Sequence, residues 1–194
     1  MSGYPVEGPA QRHRRAAERF GAAVDGVAPG QWAAPSPVSG WTARDVVSHL
    51  IEWSEAFLAS GAGVELSPRP SVSIDPARAW AVHAAGVQAL VDAPGDRVLS
   101  NPHTGEVPLA EAIDRFYTND VLMHTWDLAR ATEQDDRLDE AECATLLAGM
   151  EPIDQVLRDS GQYGARVPVP DDAPVQERLL GFIGRDPHWR PPTR

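Results

Sequence analysis

The 18 prolines and 16 glycines of this 194-residue chain gather between segments of helical periodicity, mainly in residues 29–40, 61–76, 94–108 and 161–174. Proline lacks an N–H and glycine costs a helix backbone entropy, so the clusters punctuate the chain rather than disorder it. From Gly8 to Val27, the residues Ala16, Phe20, Ala23, Val24 and Val27 fall on one helical stripe. Thr42, with Asp45 three residues on, forms a capping box for a second helix reaching about Ala59 and burying Val46, Leu50, Trp53 and Phe57. Asp75-Pro76 caps and opens a third helix carrying Trp80, Val87 and Leu90, which stops at Pro94-Gly95. A fourth runs from Pro108 to about Thr132, and a fifth from Asp139 towards Ser160 with a kink at Pro152. Residues 166–170 read as extended, and Pro174 to Gly184 as a last short helix. Residues 97–107 read either as a short hairpin or as an extended crossover. No repeat or linker divides the chain. The expectation is one all-α domain, 1–194: a helical bundle whose long connections include at least one crossover.

Composition narrows the function. A net charge of −11 and a pI near 4.9 speak against nucleic acid and against an anionic membrane face. Cys143 is the single cysteine, so no intramolecular disulfide forms. The N-terminal residues lead into Gln11-Arg12-His13-Arg14-Arg15 without an apolar core, unlike a signal peptide, and no apolar run reaches the roughly 18 residues a bilayer requires. A cytoplasmic protein is expected.

The chemistry concentrates in two helical segments. Asp120 and His124 stand four residues apart, which places a carboxylate and an imidazole one above the other on a helix face. His49 lies on the second helix. If the two helices pack face to face, His49, Asp120 and His124 converge on one divalent metal, with coordination positions left open for reaction. A lone histidine on an amphipathic helix more often fills a core or rim, so it is the pairing of segments that favours a metal. Asp127, three residues past His124, can hold an imidazole N–H or pair with Arg130 on the surface; the surface pair is the preferred reading. Glu52 is a candidate general base, and Trp41, Trp53 and Trp126 are core or pocket wall. His13 among its arginines reads as solvated, His83 as core-facing, and His103 and His188 as structural or surface groups. Cys143 reads as a small buried group rather than a nucleophile. Neither a glycine-rich phosphate loop nor a nucleophile elbow is present.

The stretches Gly40-Trp41-Thr42-Ala43-Arg44-Asp45-Val46-Val47-Ser48-His49-Leu50 and Asp120-Val121-Leu122-Met123-His124-Thr125-Trp126-Asp127-Leu128-Ala129-Arg130-Ala131-Thr132 resemble the two motifs of the DinB-like superfamily. Within it they resemble the mycothiol-dependent maleylpyruvate isomerase N-terminal family, and the closing segment from Val167 to Pro187 resembles an actinobacterial metal-binding branch. The resemblance implies a four-helix bundle with a crossover connection and a short C-terminal extension. It implies a site of His49, Asp120 and His124 that usually holds zinc, with nickel or iron in some relatives. Two departures stand out: the best-known isomerase has glutamate where this chain has Asp120, and it carries an additional C-terminal domain. The implied function is a metal-dependent transferase or isomerase acting on a small electrophile with mycothiol or another low-molecular-weight thiol, as a monomer or homodimer. The alternative is a non-catalytic ligand-binding stress-response protein. Two histidines and a carboxylate also describe non-haem iron oxygenases, but the resemblance points away from that chemistry.

Overall fold

Caps set the helix boundaries. The computed structural model describes residues 7–101 and 105–192. Helix α1 (Pro9–Asp25) begins with proline at its first position, where the missing N–H costs nothing. Helix α2 (Ala43–Ala62) is held by the expected box: the Asp45 N–H donates to Thr42 Oγ1 at 3.3 Å, and the Thr42 N–H donates to Asp45 Oδ2 at 2.8 Å. It ends at Gly63, which takes the left-handed conformation (φ 63°) that glycine adopts without strain. The Asp75 carboxylate accepts the Arg78 N–H at the start of α3 (Pro76–Asp92).

Of the two readings for 97–107, the structure takes the hairpin. Strands β1 (Val98–Asn101) and β2 (Gly105–Pro108) pair antiparallel with Leu99 opposite Val107. The tip, with His103, lies outside the described residues. Leu99 is buried against Gly61, where a Cβ would come within 2.7 Å of Leu99 Cγ, so α2 approaches the hairpin closely. The fourth helix is continuous from 109 to 131 but not uniform. Helix α4 (Leu109–Ala112) passes through a π-helical turn (Ile113–Thr118) into α5 (Asn119–Ala131). Helix α6 (Glu140–Met150) gives way at Pro152 to a 3-10 turn (Glu151–Ile153) and then α7 (Asp154–Asp159), the break expected of proline. Helix α8 (Val175–Phe182) closes the chain.

The molecule is mostly helical, the all-α bundle expected, with one small hairpin among the described residues. Helix α1 packs on α3 and α5, and α2 packs on α5 and α3. Helices α1 and α2 therefore lie across a diagonal, as do α3 and α5, and both the α1–α2 and α3–α5 connections cross the bundle. A second core forms where α6 and α8 pack on each other and on the outer side of α5. Val121 and Leu128 of α5 face the bundle core, while Leu122, Met123 and Trp126 face the second core, so α5 has almost no wet side.

One expectation about the core is overturned. His13 is not solvated; it is 1% exposed, and its Nδ1 shares a hydrogen bond with Thr118 Oγ1 at 3.0 Å. Position 13 lies three, four and seven residues before Ala16, Ala17 and Phe20, on the face that enters the bundle, whatever its arginine neighbours in sequence do. His83 is buried as expected, between Ser54 and Tyr117, with Nε2 3.0 Å from each oxygen.

Candidate metal centre

His49 sits two turns into α2, and Asp120 and His124 stand one turn apart on α5. Because α2 packs on α5, the three side chains meet. His49 Nε2 lies 3.2 Å from Asp120 Oδ2, and His124 Nε2 lies 3.5 Å from Asp120 Oδ1. One ligating atom from each residue falls within 4.8 Å of the others. His124 is deeply buried, while His49 and Asp120 keep 28% and 19% of their side-chain surface, so the group opens to solvent on one side.

Trp41 covers the imidazoles. Its ring centroid is 4.8 Å from that of His49 and 5.7 Å from that of His124, nearly parallel to the latter. The turn before α2 aims it there: Gly40 takes φ 79°, and the Ser36 N–H donates to the Trp41 carbonyl at 2.8 Å. Trp53 flanks His49 at 6.5 Å, whereas Trp126 is fully buried in the second core.

Behind His124 stands a buried ion pair. Its Nδ1–H donates to Asp127 Oδ2 at 2.9 Å, which leaves Nε2 with its lone pair turned towards Asp120 and His49. Asp127 is wholly buried and also accepts from the Arg185 guanidinium, at 2.9 Å from Nε and 3.1 Å from Nη2. This corrects the expected surface pair of Asp127 with Arg130. Arg130 instead pairs with Asp136 at 2.7 Å and lies over the Trp126 ring. The physical reason is the second core: it covers the side of α5 that a two-sided helix would leave wet. Burial resists charge on His124, but Asp120 and Asp127 outweigh it and hold its pKa above the ordinary value. Burial likewise resists the Asp127 anion, yet His124 and Arg185 hold its carboxyl below the usual range.

Sequence reasoning missed Arg185. It follows α8 and Gly184, whose φ of 84° turns the chain where a Cβ would come within 2.9 Å of the Ala165 carbonyl oxygen. No local pattern marks an arginine 58 residues from its partner; for Asp127 the signal was its spacing from His124. Burial and the charge of Asp120 push the Tyr163 phenol up to about 12. Glu52 stays exposed on α2, with no hydrogen bond to the triad among the described residues.

Chemically, two imidazole nitrogens and a carboxylate form a hard-to-borderline donor set suited to a divalent transition metal. Comparison with known proteins bears on this geometry. The chain is 31% identical over 184 residues to two uncharacterized proteins of Mycobacterium tuberculosis, Rv0738 of strain H37Rv and MT0763 of strain CDC 1551, covering 91% of this chain and 97% of each relative. No solved structure matches the chain significantly. Residues 13–129 match the model for the mycothiol maleylpyruvate isomerase N-terminal domain, a span that contains His49, Asp120, His124 and Asp127 but not Arg185. By that match, and by mycobacterial relatives aligned over nearly its full length, the chain belongs to the mycothiol maleylpyruvate isomerase N-terminal domain family.

Proposed function

We propose that this protein is a metal- and thiol-dependent transferase or isomerase for a small electrophile, in which His49, Asp120 and His124 hold one divalent ion, zinc foremost and nickel or iron next. The observation that carries the reading is the meeting of the three donors, with the His124 tautomer already fixed by Asp127. Atoms that share an ion at about 2.0–2.2 Å stand roughly 3–3.5 Å apart. The 3.2 and 3.5 Å separations run to different oxygens of Asp120, and one atom from each residue lies within 4.8 Å of the others, so a small side-chain adjustment draws the three donors to that spacing. When bound, the ion lowers the pKa of a thiol or water towards neutrality and so supplies the nucleophile.

The residues of the chain do the rest. Asp127 holds the His124 N–H, Arg185 holds Asp127, and Trp41 shields the imidazoles from bulk water. The nucleophilic sulfur comes from outside, because Cys143 is fully buried and burial, with Asp139 and Glu142 near, pushes its thiol up to about 12. Family membership supports mycothiol or another low-molecular-weight thiol in that role, and the mycobacterial relatives support an actinobacterial, cytoplasmic setting. Among the described residues no helix is long and apolar enough to cross a membrane. The acidic surface fits a small-molecule partner rather than nucleic acid, and the reading treats residues 1–194 as a single domain, monomeric or homodimeric.

Elemental analysis of protein purified without a chelating tag tests the reading: about one equivalent of metal is expected, mostly lost in His49→Ala and in His124→Ala. Adding thiol to the cobalt-substituted protein is expected to shift its visible bands. Wild-type protein with no affinity for zinc or nickel refutes the metal centre. An open centre that binds metal but neither binds nor turns over thiol leaves the non-catalytic ligand binder as the function.

A further inference from the structure

A strip of half-buried aromatic rings leads away from the candidate metal centre. His49, Trp53 and Phe57 follow one another at four-residue spacing on α2, so they share a face over about 12 Å of helix. Trp53 lies 6.5 Å from His49, and Phe57 lies 5.1 Å from Trp53 with the two rings nearly parallel at 10°. Phe116, from the π turn, closes the far end 5.9 Å from Phe57. These three apolar rings are only half-buried, although Leu50, Ile51 and Leu58 of the same α2 are at most 1% exposed. The strip begins at the donor set and ends under the exposed Arg115, whose guanidinium lies 5.7 Å from the Phe116 ring centroid.

Ligand sites characteristically combine an apolar, aromatic lining with a few polar groups at one point. Here those polar groups are the metal donors at the head of the strip. We propose that the electrophile handled at this centre carries a planar aromatic group, which lies along Trp53, Phe57 and Phe116. The proposal rests on the metal-centre reading and adds the substrate class to it. A ring edge or face laid on such a strip gains contact energy beyond its buried area, and a 12 Å run suits two linked rings. The strip is flanked in sequence by the exposed Glu52 and Arg115, and Trp53 is backed by the buried Tyr117 at 5.9 Å. Such a short, charge-bordered surface fits a small molecule better than a partner helix.

Hydroxamates of increasing length provide the test, because their head group takes open metal positions while the tail lies where the structure directs it. Zinc-loaded protein is titrated with acetohydroxamate, benzohydroxamate and biphenyl-4-carbohydroxamate, and tryptophan fluorescence reports binding. Affinity is expected to rise about tenfold with each ring. Phe57→Leu and Phe116→Leu should remove the gain from the second ring while zinc content stays at the wild-type level. Equal affinity across the series on zinc-loaded protein overturns the proposal and leaves the metal centre standing. Failure to take up zinc overturns both. A concentration-dependent dimer that Phe116→Leu dissociates also overturns the proposal, by making the strip an interface between copies. If a leucine variant does not fold, the wild-type series decides alone.

Discussion

Asp127→Asn separates what the buried carboxylate does for the metal from what it does for the fold. The substitution keeps the shape of the side chain and removes its charge. In the wild type that carboxylate holds the His124 Nδ1–H at 2.9 Å and the Arg185 guanidinium at 2.9 and 3.1 Å. Losing the carboxylate behind a ligating imidazole weakens its basicity and frees its tautomer, which typically lowers metal affinity 10–100-fold, or about 1.4–2.7 kcal/mol. The fold suffers separately, because Arg185 is left without its counter-charge. Breaking a buried pair from one side costs about 3–5 kcal/mol, and the lower end applies because the Arg185 side chain keeps 15% exposure. Two assays read the two effects: urea denaturation of metal-free protein, and zinc competition against a chromophoric chelator. Adding Arg185→Met removes the stranded charge, so the double variant should regain most of the stability yet still bind zinc weakly. Zinc affinity unchanged in Asp127→Asn, or restored by Arg185→Met, would refute the reasoning.

Two further predictions concern the fold. Burial, reinforced by the charge of His83, pushes His13 down to about 4, and burial pushes His83 to about the same value, against about 6.5 in the unfolded chain. The unfolded state therefore binds more protons between those values, and stability should fall as pH drops from about 6.5 through 4, by about 2 kcal/mol per histidine at pH 5. Urea midpoints of metal-free protein at pH 7 and 5 measure this; a loss undiminished in His83→Gln would show that other groups cause it. Gly181→Ala should lower the melting temperature by several degrees. Its Cβ would come within 2.6 Å of the Val167 carbonyl oxygen, a backbone atom that also prevents easy relief. Overpacking of about 1–3 kcal/mol then outweighs the helix-propensity gain of about 1 kcal/mol, and an unchanged melting temperature would contradict that ordering.

What the sequence reveals here is what short segments decide by themselves. Thr42 with Asp45, Asp75 with Pro76, and Pro152 each act within one turn, and the structure starts or breaks helices at those points. The grouping of His49, Asp120 and His124 required two local motifs and one assumption, that α2 packs on α5. The π turn at 113–118 was not legible, because no residue in it forbids the ordinary helix. His13 and Asp127 were misread for a common reason: each was assigned to water by its charged neighbours in sequence, while its partners, Thr118 and Arg185, lie 105 and 58 residues away. A hint was present in α5 itself. Between Val121 and Ala131 the polar side chains are few, and Thr125 satisfies its hydroxyl on the Val121 carbonyl at 2.7 Å, as a helix covered on all sides requires.

That covering links the centre to the end of the chain. The matched family span holds His49, Asp120, His124 and Asp127, but Arg185, which with His124 keeps Asp127 ionised, lies beyond it. Arg185 is in turn placed by α8: its N–H donates to the Leu180 carbonyl at 2.8 Å, and Leu179, Leu180 and Phe182 pack in the second core with Leu122, Met123 and Trp126 of α5. An ion held by His124, as proposed above, would therefore favour the state in which Asp127 is charged and α8 is docked. By linkage, metal that binds only this state stabilises the docking of α8 as much as docking strengthens the metal. The second core thus joins His124 and Asp127 on α5 to the arginine that holds Asp127.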